Sequence, residues 1–152
     1  MNDWDELYME VILDHNKNPR NKGEIPEHTH SADGHNPLCG DRISMQIVLK
    51  NEIVTDAKFI GSGCAISTAS ASILTDTIKG MEKTEIEKMF KDFHNLVTDK
   101  NSEKYDLGKF AVFEGVKKYP TRVKCATLSW HALMAALQGK KACTTREKGS
   151  EF

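Results

Sequence analysis

Asn36-Pro37-Leu38-Cys39-Gly40-Asp41-Arg42-Ile43-Ser44-Met45-Gln46-Ile47-Val48-Leu49 is the stretch that decides the fold, and Gly61-Ser62-Gly63-Cys64 echoes its start. Ile43, Met45, Ile47 and Leu49 alternate with polar or exposed positions, the period-2 pattern of a strand with one buried face. Lys50-Asn51-Glu52 predicts a turn, and residues 53–60 a return strand. The hairpin is then antiparallel, and the residues near Asp41 and near Gly61 meet at its open end. In extended backbone Cys39 and Asp41 share the buried face, with Gly40 between them adding no side chain to crowd whatever sits there. A carboxylate at the head of a core-facing row is costly unless something pairs with it. A metal ion with thiolate neighbours is such a partner.

The 152-residue chain suits one domain with a proper core, and its 39% hydrophobic and 28% charged residues suit a soluble globular protein. We read residues 1–139 as that domain and 140–152 as a flexible, polar tail. A net charge of −1 gives no electrostatic case for nucleic acid or an anionic membrane surface. The acidic start, Met1-Asn2-Asp3-Trp4-Asp5-Glu6, is no signal peptide, and no stretch approaches the roughly 20 apolar residues of a membrane span. A cytoplasmic location is expected. The four cysteines, at 39, 64, 125 and 143, are then reduced, and their wide spacing matches neither a zinc finger nor a C-x-x-C redox motif.

Taken in order, the chain opens with an amphipathic helix from Asp3 to Lys17, closed by Asn18-Pro19. Residues 20–38 are loop-rich, with a short extended piece around His30–Asp33. His28, His30 and His35 read as solvated loop histidines, His35 being near enough to Cys39 to keep in view. From Ala65 to Lys79 runs a helix of small residues that permits close packing on the sheet, and Cys64 stands at its N-terminus. Free N–H groups and the macrodipole there lower a thiol's pKa and favour thiolate. Thr84 and Glu87 predict a capping box for a third helix with Ile86, Met89, Phe90, Phe93 and Val97 on its face. A short helix is expected over Leu107–Val116, broken by Pro120, and a last helix is expected to begin near Cys125 and stop at Gly139. That reading places Cys125, like Cys64, at a helix start.

Hairpin geometry gathers Cys39, Asp41 and Cys64, and Cys125 joins them if the last helix packs its N-terminus there. Three thiolates and a carboxylate make a full tetrahedral set for zinc, with the oxygen as the weaker donor. The residues leave a second reading open: three buried thiols and an aspartate that caps a loop.

Asn36-Pro37-x-Cys39-Gly40-Asp41, Gly63-Cys64-Ala65-Ile66-Ser67 and Arg122-Val123-Lys124-Cys125-Ala126-Thr127-Leu128-Ser129-Trp130 resemble the three cysteine motifs of the U-type iron–sulfur scaffolds, the IscU/NifU N-terminal family. The similarity spans roughly residues 3–138. It implies an α+β fold, a small antiparallel sheet with helices packed on one face. It also implies that Cys39, Asp41, Cys64 and Cys125 surround the site where a cluster is built or a zinc is held. Lys124 stands where the housekeeping branch has histidine, and the gap from Cys64 to Cys125 is long; both features resemble the SufU branch. That resemblance implies a zinc-bound sulfur acceptor, a zinc-dependent sulfurtransferase serving a SufS-like cysteine desulfurase and, beyond it, downstream cluster-assembly proteins. Cys39, on the loop before the strand, is the acceptor we expect, with Arg122 and Lys124 near the site steering the partner or solubilising the surface. The alternative is a scaffold that assembles and transfers a labile iron–sulfur cluster; a third reading is a purely structural zinc domain.

Overall fold

The computed structural model describes residues 3–38, 40–98, 107–140 and 142–144. Helix α1 (Asp3–Lys17) precedes β1 (His30–Asn36), β2 (Asp41–Lys50) and β3 (Ile53–Ser62). Then come α2 (Ala65–Ile78), α3 (Lys83–Thr98), a 3₁₀ helix (Gly108–Lys118), α4 (Pro120–Leu137) and β4 (Ala142–Thr144). The sheet order is β3-β2-β1-β4, antiparallel among the first three strands, with helices α2 and α4 packed on it. The expected α+β architecture is the observed one.

The hairpin forms as its alternation requires. Ile43, Met45 and Ile47 are buried, and Asp41 heads the same row at 3% exposure. Asn51 and Glu52 link the strands with φ of 53° and 67°, the left-handed pair of a two-residue hairpin turn. At the open end, Arg42 pairs with Ser62 and Ile43 with Gly61. Gly61 has φ +133°, and a Cβ there would lie 2.1 Å from the Arg42 carbonyl oxygen, so no other residue fits. β1 is longer than the extended piece expected, and it faces α4 with the small row Ala32, Gly34 and Asn36, all buried. A Cβ on Gly34 would sit 3.1 Å from Leu128 and 3.2 Å from Ala132, which is how close α4 lies.

α2 runs through the middle of the molecule, against α1, α4 and the sheet. Its hydroxyls serve as well as its small volume. Ser70 donates to the Ala126 carbonyl of α4 at 2.6 Å. Ser72 Oγ accepts the Arg20 N–H at 2.8 Å and meets His15 Nδ1 of α1 at 2.7 Å. A buried hydroxyl needs such a partner, and each one found ties α2 to a different element.

Four sequence expectations shift. The capping contact of α3 is Glu82 N–H to Glu85 Oε1 at 2.9 Å, two residues before the Thr84–Glu87 box, and Thr84 lies inside the helix. The Leu107–Val116 segment is 3₁₀ rather than α. Phe110, Phe113 and Val116 recur every third residue, and at three residues per turn they form one buried ridge. Phe110 and Phe113 pack on Phe93 at 5.1 and 6.0 Å, and Trp130 closes the cluster 5.6 Å from Phe93. Pro120 ends one helix and is also the first residue of α4, where its missing N–H costs nothing. α4 therefore starts five residues earlier than expected, and Cys125 lies in its second turn rather than at its start. Finally, within the tail expected to be flexible from Lys140, Ala142–Thr144 forms β4, parallel to β1. Residues 145–152 lie outside the described ones.

Candidate metal centre

Asp41, Cys64 and Cys125 converge. One carboxylate oxygen and the two sulfurs lie within 4.8 Å of one another, the only group of three or more such ligands among the described residues. Three elements deliver them. Asp41 starts β2, where Asn36 pairs with it across the β1–β2 turn. Cys64 is the N-cap of α2, its Sγ accepting the Ser67 N–H at 3.5 Å. Cys125 comes from α4 and is 4% exposed.

Cys39, the expected acceptor, lies outside the described residues. Asn36 and Asp41 are paired, and the Gly40 N–H donates to the Asn36 carbonyl at 2.8 Å, closing a turn between the strands. Gly40 is not in extended backbone, so the same-face argument for Cys39 and Asp41, which needs it extended, does not apply. Gly40 has another role than the one expected. A Cβ on it would meet nothing within 4 Å, but its φ of +76° favours glycine. The residue that must stay small for lack of space is Gly63, where a Cβ would come 3.1 Å from Asp41 Cγ.

The buried carboxylate is satisfied. Oδ1 accepts the Cys64 N–H at 3.2 Å and Oδ2 accepts the Ser67 hydroxyl at 2.5 Å. Cys64 is half-buried, and its thiol is held well below the ordinary 9.0, at about 6. The hydrogen bond from Cys125 is the largest cause; the Ser67 N–H and hydroxyl add to it, while burial and the Asp41 charge oppose it. Cys125 Sγ receives the Asn36 side-chain amide at 3.8 Å, and the same amide's oxygen accepts the Leu38 N–H at 3.2 Å. Asn36 thus joins the turn before β2 to the sulfur on α4.

These donors fit zinc. With Zn–S bonds of about 2.3 Å, tetrahedral sulfurs stand about 3.8 Å apart, so contacts within 4.8 Å need only a small contraction. Two sulfurs and one oxygen make three ligands among the described residues.

Other expected residues lie elsewhere. His28 and His30 line a cavity of about 320 Å³ with Ala136, Gly139 and Lys140, at the end of the sheet where His30 pairs with Ile47. His35 neighbours the core-facing Asn36 and pairs with Arg42, so it points to the opposite sheet face. Arg122 is exposed on α4. Lys124 is half-buried, and its charge acts on His131, whose pKa falls to about 3, chiefly through burial and also through His94. Sequence reasoning missed two residues at the site. Ser67 is one of the small residues of the helix that follows Cys64, yet a serine three positions after a helix-capping cysteine is a visible signal. Asn36 carries no signal of its own beyond its place in the Asn36–Asp41 motif.

Comparison with known proteins agrees with this picture. Residues 7–126 match the family model described as NifU-like N terminal domain. The zinc-dependent sulfurtransferase SufU of Bacillus subtilis is 48% identical over 130 residues, 85% of this chain and 88% of that protein. The iron–sulfur cluster assembly scaffold protein IscU of Streptococcus pyogenes is 38% identical over 133 residues, 87% of this chain and 83% of that protein. Among solved structures, a protein assigned as cluster-assembly scaffold for the SUF system of Fervidobacterium islandicum superposes with a TM-score of 0.79 at 36% identity, covering 84% of this chain and 94% of that one.

Proposed function

The chain belongs to the NifU-like N-terminal domain family of iron–sulfur cluster assembly, and from that premise we propose that it is a zinc-bound sulfur acceptor. It takes sulfur from a SufS-like cysteine desulfurase and passes it to downstream cluster-assembly proteins. The observation that carries this is the gathering of Asp41, Cys64 and Cys125 within 4.8 Å, with the Cys64 pKa lowered by the hydrogen bond from Cys125 and by the first turn of α2. Cys39, Asp41, Cys64 and Cys125 are the proposed ligands. Zinc, when bound, keeps thiols deprotonated without redox chemistry of its own.

The proposed transfer is thiolate attack on a persulfide. The Cys39 sulfur forms a bond to the outer sulfur of the desulfurase persulfide, the S–S bond breaks, and the desulfurase cysteine leaves as thiolate. A persulfide on Cys39 results, with no net oxidation. Free thiols suit a reducing compartment, which supports a cytoplasmic location; among the described residues no helix is long and apolar enough to cross a membrane. Residues 1–139 are proposed to suffice for the reaction.

The alternative reading, a scaffold for a labile cluster, is favoured by Asp41, an oxygen donor that leaves one weak corner. Aerobic purification separates the two: zinc at one per chain and a colourless protein support transfer, whereas visible absorption with iron and sulfide supports the scaffold. Desulfurase turnover then tests the role. The protein is expected to stimulate it, Cys39→Ser to abolish the stimulation, and Cys143→Ser to leave it intact. No stimulation by the zinc-loaded protein would reduce the metal to a structural one.

A further inference from the structure

A hydroxyl lies buried at the middle of the metal centre. Ser67, in the first turn of α2, has no exposed surface. Its Oγ stands 2.5 Å from Asp41 Oδ2, 3.2 Å from the Cys125 carbonyl oxygen and 3.7 Å from Cys64 Sγ. A serine has one proton to give, and the distances assign it to the carboxylate. An O–H···O⁻ contact of this length is of the strong, charge-assisted kind.

The other carboxylate oxygen accepts the Cys64 N–H at 3.2 Å. Both oxygens are therefore tied to the first turn of α2, and the rotation of the carboxyl group is fixed. There is little slack around it. A Cβ on Gly63 would come 3.0 Å from the Ser67 Cβ as well as 3.1 Å from Asp41 Cγ. A plain structural role would look different, and Ser70 shows it: one turn on, its hydroxyl binds only groups of α4, the Ala126 carbonyl at 2.6 Å and Ser129 Oγ at 3.3 Å.

We propose that Ser67 is a positioning residue for the metal centre, its hydroxyl orienting the Asp41 carboxylate toward a bound divalent ion and so setting the site's affinity. This rests on the zinc reading above. Groups that hold a metal ligand from behind contribute substantially to metal affinity, and Asp41, the one oxygen donor, depends most on being aimed.

The test is zinc affinity of the full chain, measured by competition with a chromogenic chelator. Ser67→Ala is expected to bind zinc about 10- to 100-fold more weakly than the wild type. In an Asp41→Ala background the same change is expected to alter affinity by less than about twofold, because Ser67 acts through Asp41. Ser70→Ala should lower the melting temperature and leave affinity unchanged. The cobalt-substituted Ser67→Ala protein should show shifted visible bands, which a purely structural loss would not produce. If Ser67→Ala does not fold, Ser67→Thr and Ser67→Val replace it. The two have the same shape, so tighter zinc binding by the threonine variant isolates the hydroxyl. Unchanged affinity in Ser67→Ala beside a zinc-loaded wild type, or an equal loss in the Asp41→Ala background, would overturn this inference alone. A wild type that takes up no zinc would overturn the proposed function and this inference with it.

Discussion

α2 and α4 each bring one cysteine to the same point, from different places in the helix. Cys64 is an N-cap, half-buried, and receives an N–H from its own first turn. Cys125 lies in the second turn of α4, where the backbone N–H groups already serve the helix, and its sulfur is met by the Asn36 amide of β1. The first turn of α2 lowers the Cys64 pKa through the Ser67 N–H and hydroxyl, but the larger share comes from the hydrogen bond that Cys125 gives it. Cys64 is thus prepared partly by its own helix end and chiefly by the neighbouring thiol, whereas the amide that meets Cys125 comes from β1.

The strongest way to break this comparison is to remove each thiol. Cys64→Ala and Cys125→Ala should both lose zinc. With free zinc a thousandfold above Kd the lost stabilisation is about 4 kcal/mol, a fall of roughly 10 °C in melting temperature. In the metal-free state, Cys125→Ala leaves the fully buried Asn36 amide without that contact and should melt below the metal-free wild type by the equivalent of about 1 kcal/mol. Equal melting of Cys125→Ala and the metal-free wild type would show that Asn36 contributes nothing through Cys125.

Gly61→Ala tests the strand end that sets Asp41 beneath α2. A methyl group 2.1 Å from the Arg42 carbonyl at φ +133° should cost roughly 3 kcal/mol and lower zinc affinity, read by thermal melting and chelator competition. A variant as stable as the wild type would show that the strands separate there at no cost.

pH sharpens the contrast between the thiols. The folded pKa of Cys64, about 6, is below its ordinary 9.0, so its contribution to metal-free stability is full above 9.0 and lost as pH falls to about 6. Alkylation of metal-free protein, mapped by peptide mass, should therefore label Cys64 with a midpoint near pH 6, and the buried Cys125 far more slowly. Faster labelling of Cys125 would reverse the assignment of the prepared thiol. The smallest effect is expected at the far end of the hairpin. Glu52 holds φ 67°, and Glu52→Gly should stabilise the fold by about 1 kcal/mol without changing zinc content. A loss of zinc would mean that the two hairpin ends are coupled.

Much of this is legible in the sequence. The hairpin is, because Ile43, Met45 and Ile47 alternate over a run bounded by turn residues, and period-2 patterns are local. α1 is legible from its helical spacing and its closing Asn18-Pro19. The helix starts near Thr84 and Cys125 were misplaced because several residue types can cap, and which one does depends on where the preceding chain comes from. Pro120 shows the same limit: a proline marks a boundary, but its own fixed φ serves the following helix as readily as it ends the preceding one.

The sequence by itself determined the hairpin, the cysteine at the start of α2, the family and the three candidate ligands that the fold brings together, Asp41, Cys64 and Cys125, since motif and periodicity are written in neighbouring residues. Only the tertiary structure decided how those ligands are held. The Ser67 hydroxyl on Asp41 spans 26 positions and the Asn36 amide on Cys125 spans 89, and no local pattern announces a hydrogen bond between residues so far apart in the chain. The roles of Gly40 and Gly63 were settled there too, because whether a glycine is needed for its torsion or for its missing Cβ depends on what the rest of the fold packs against it.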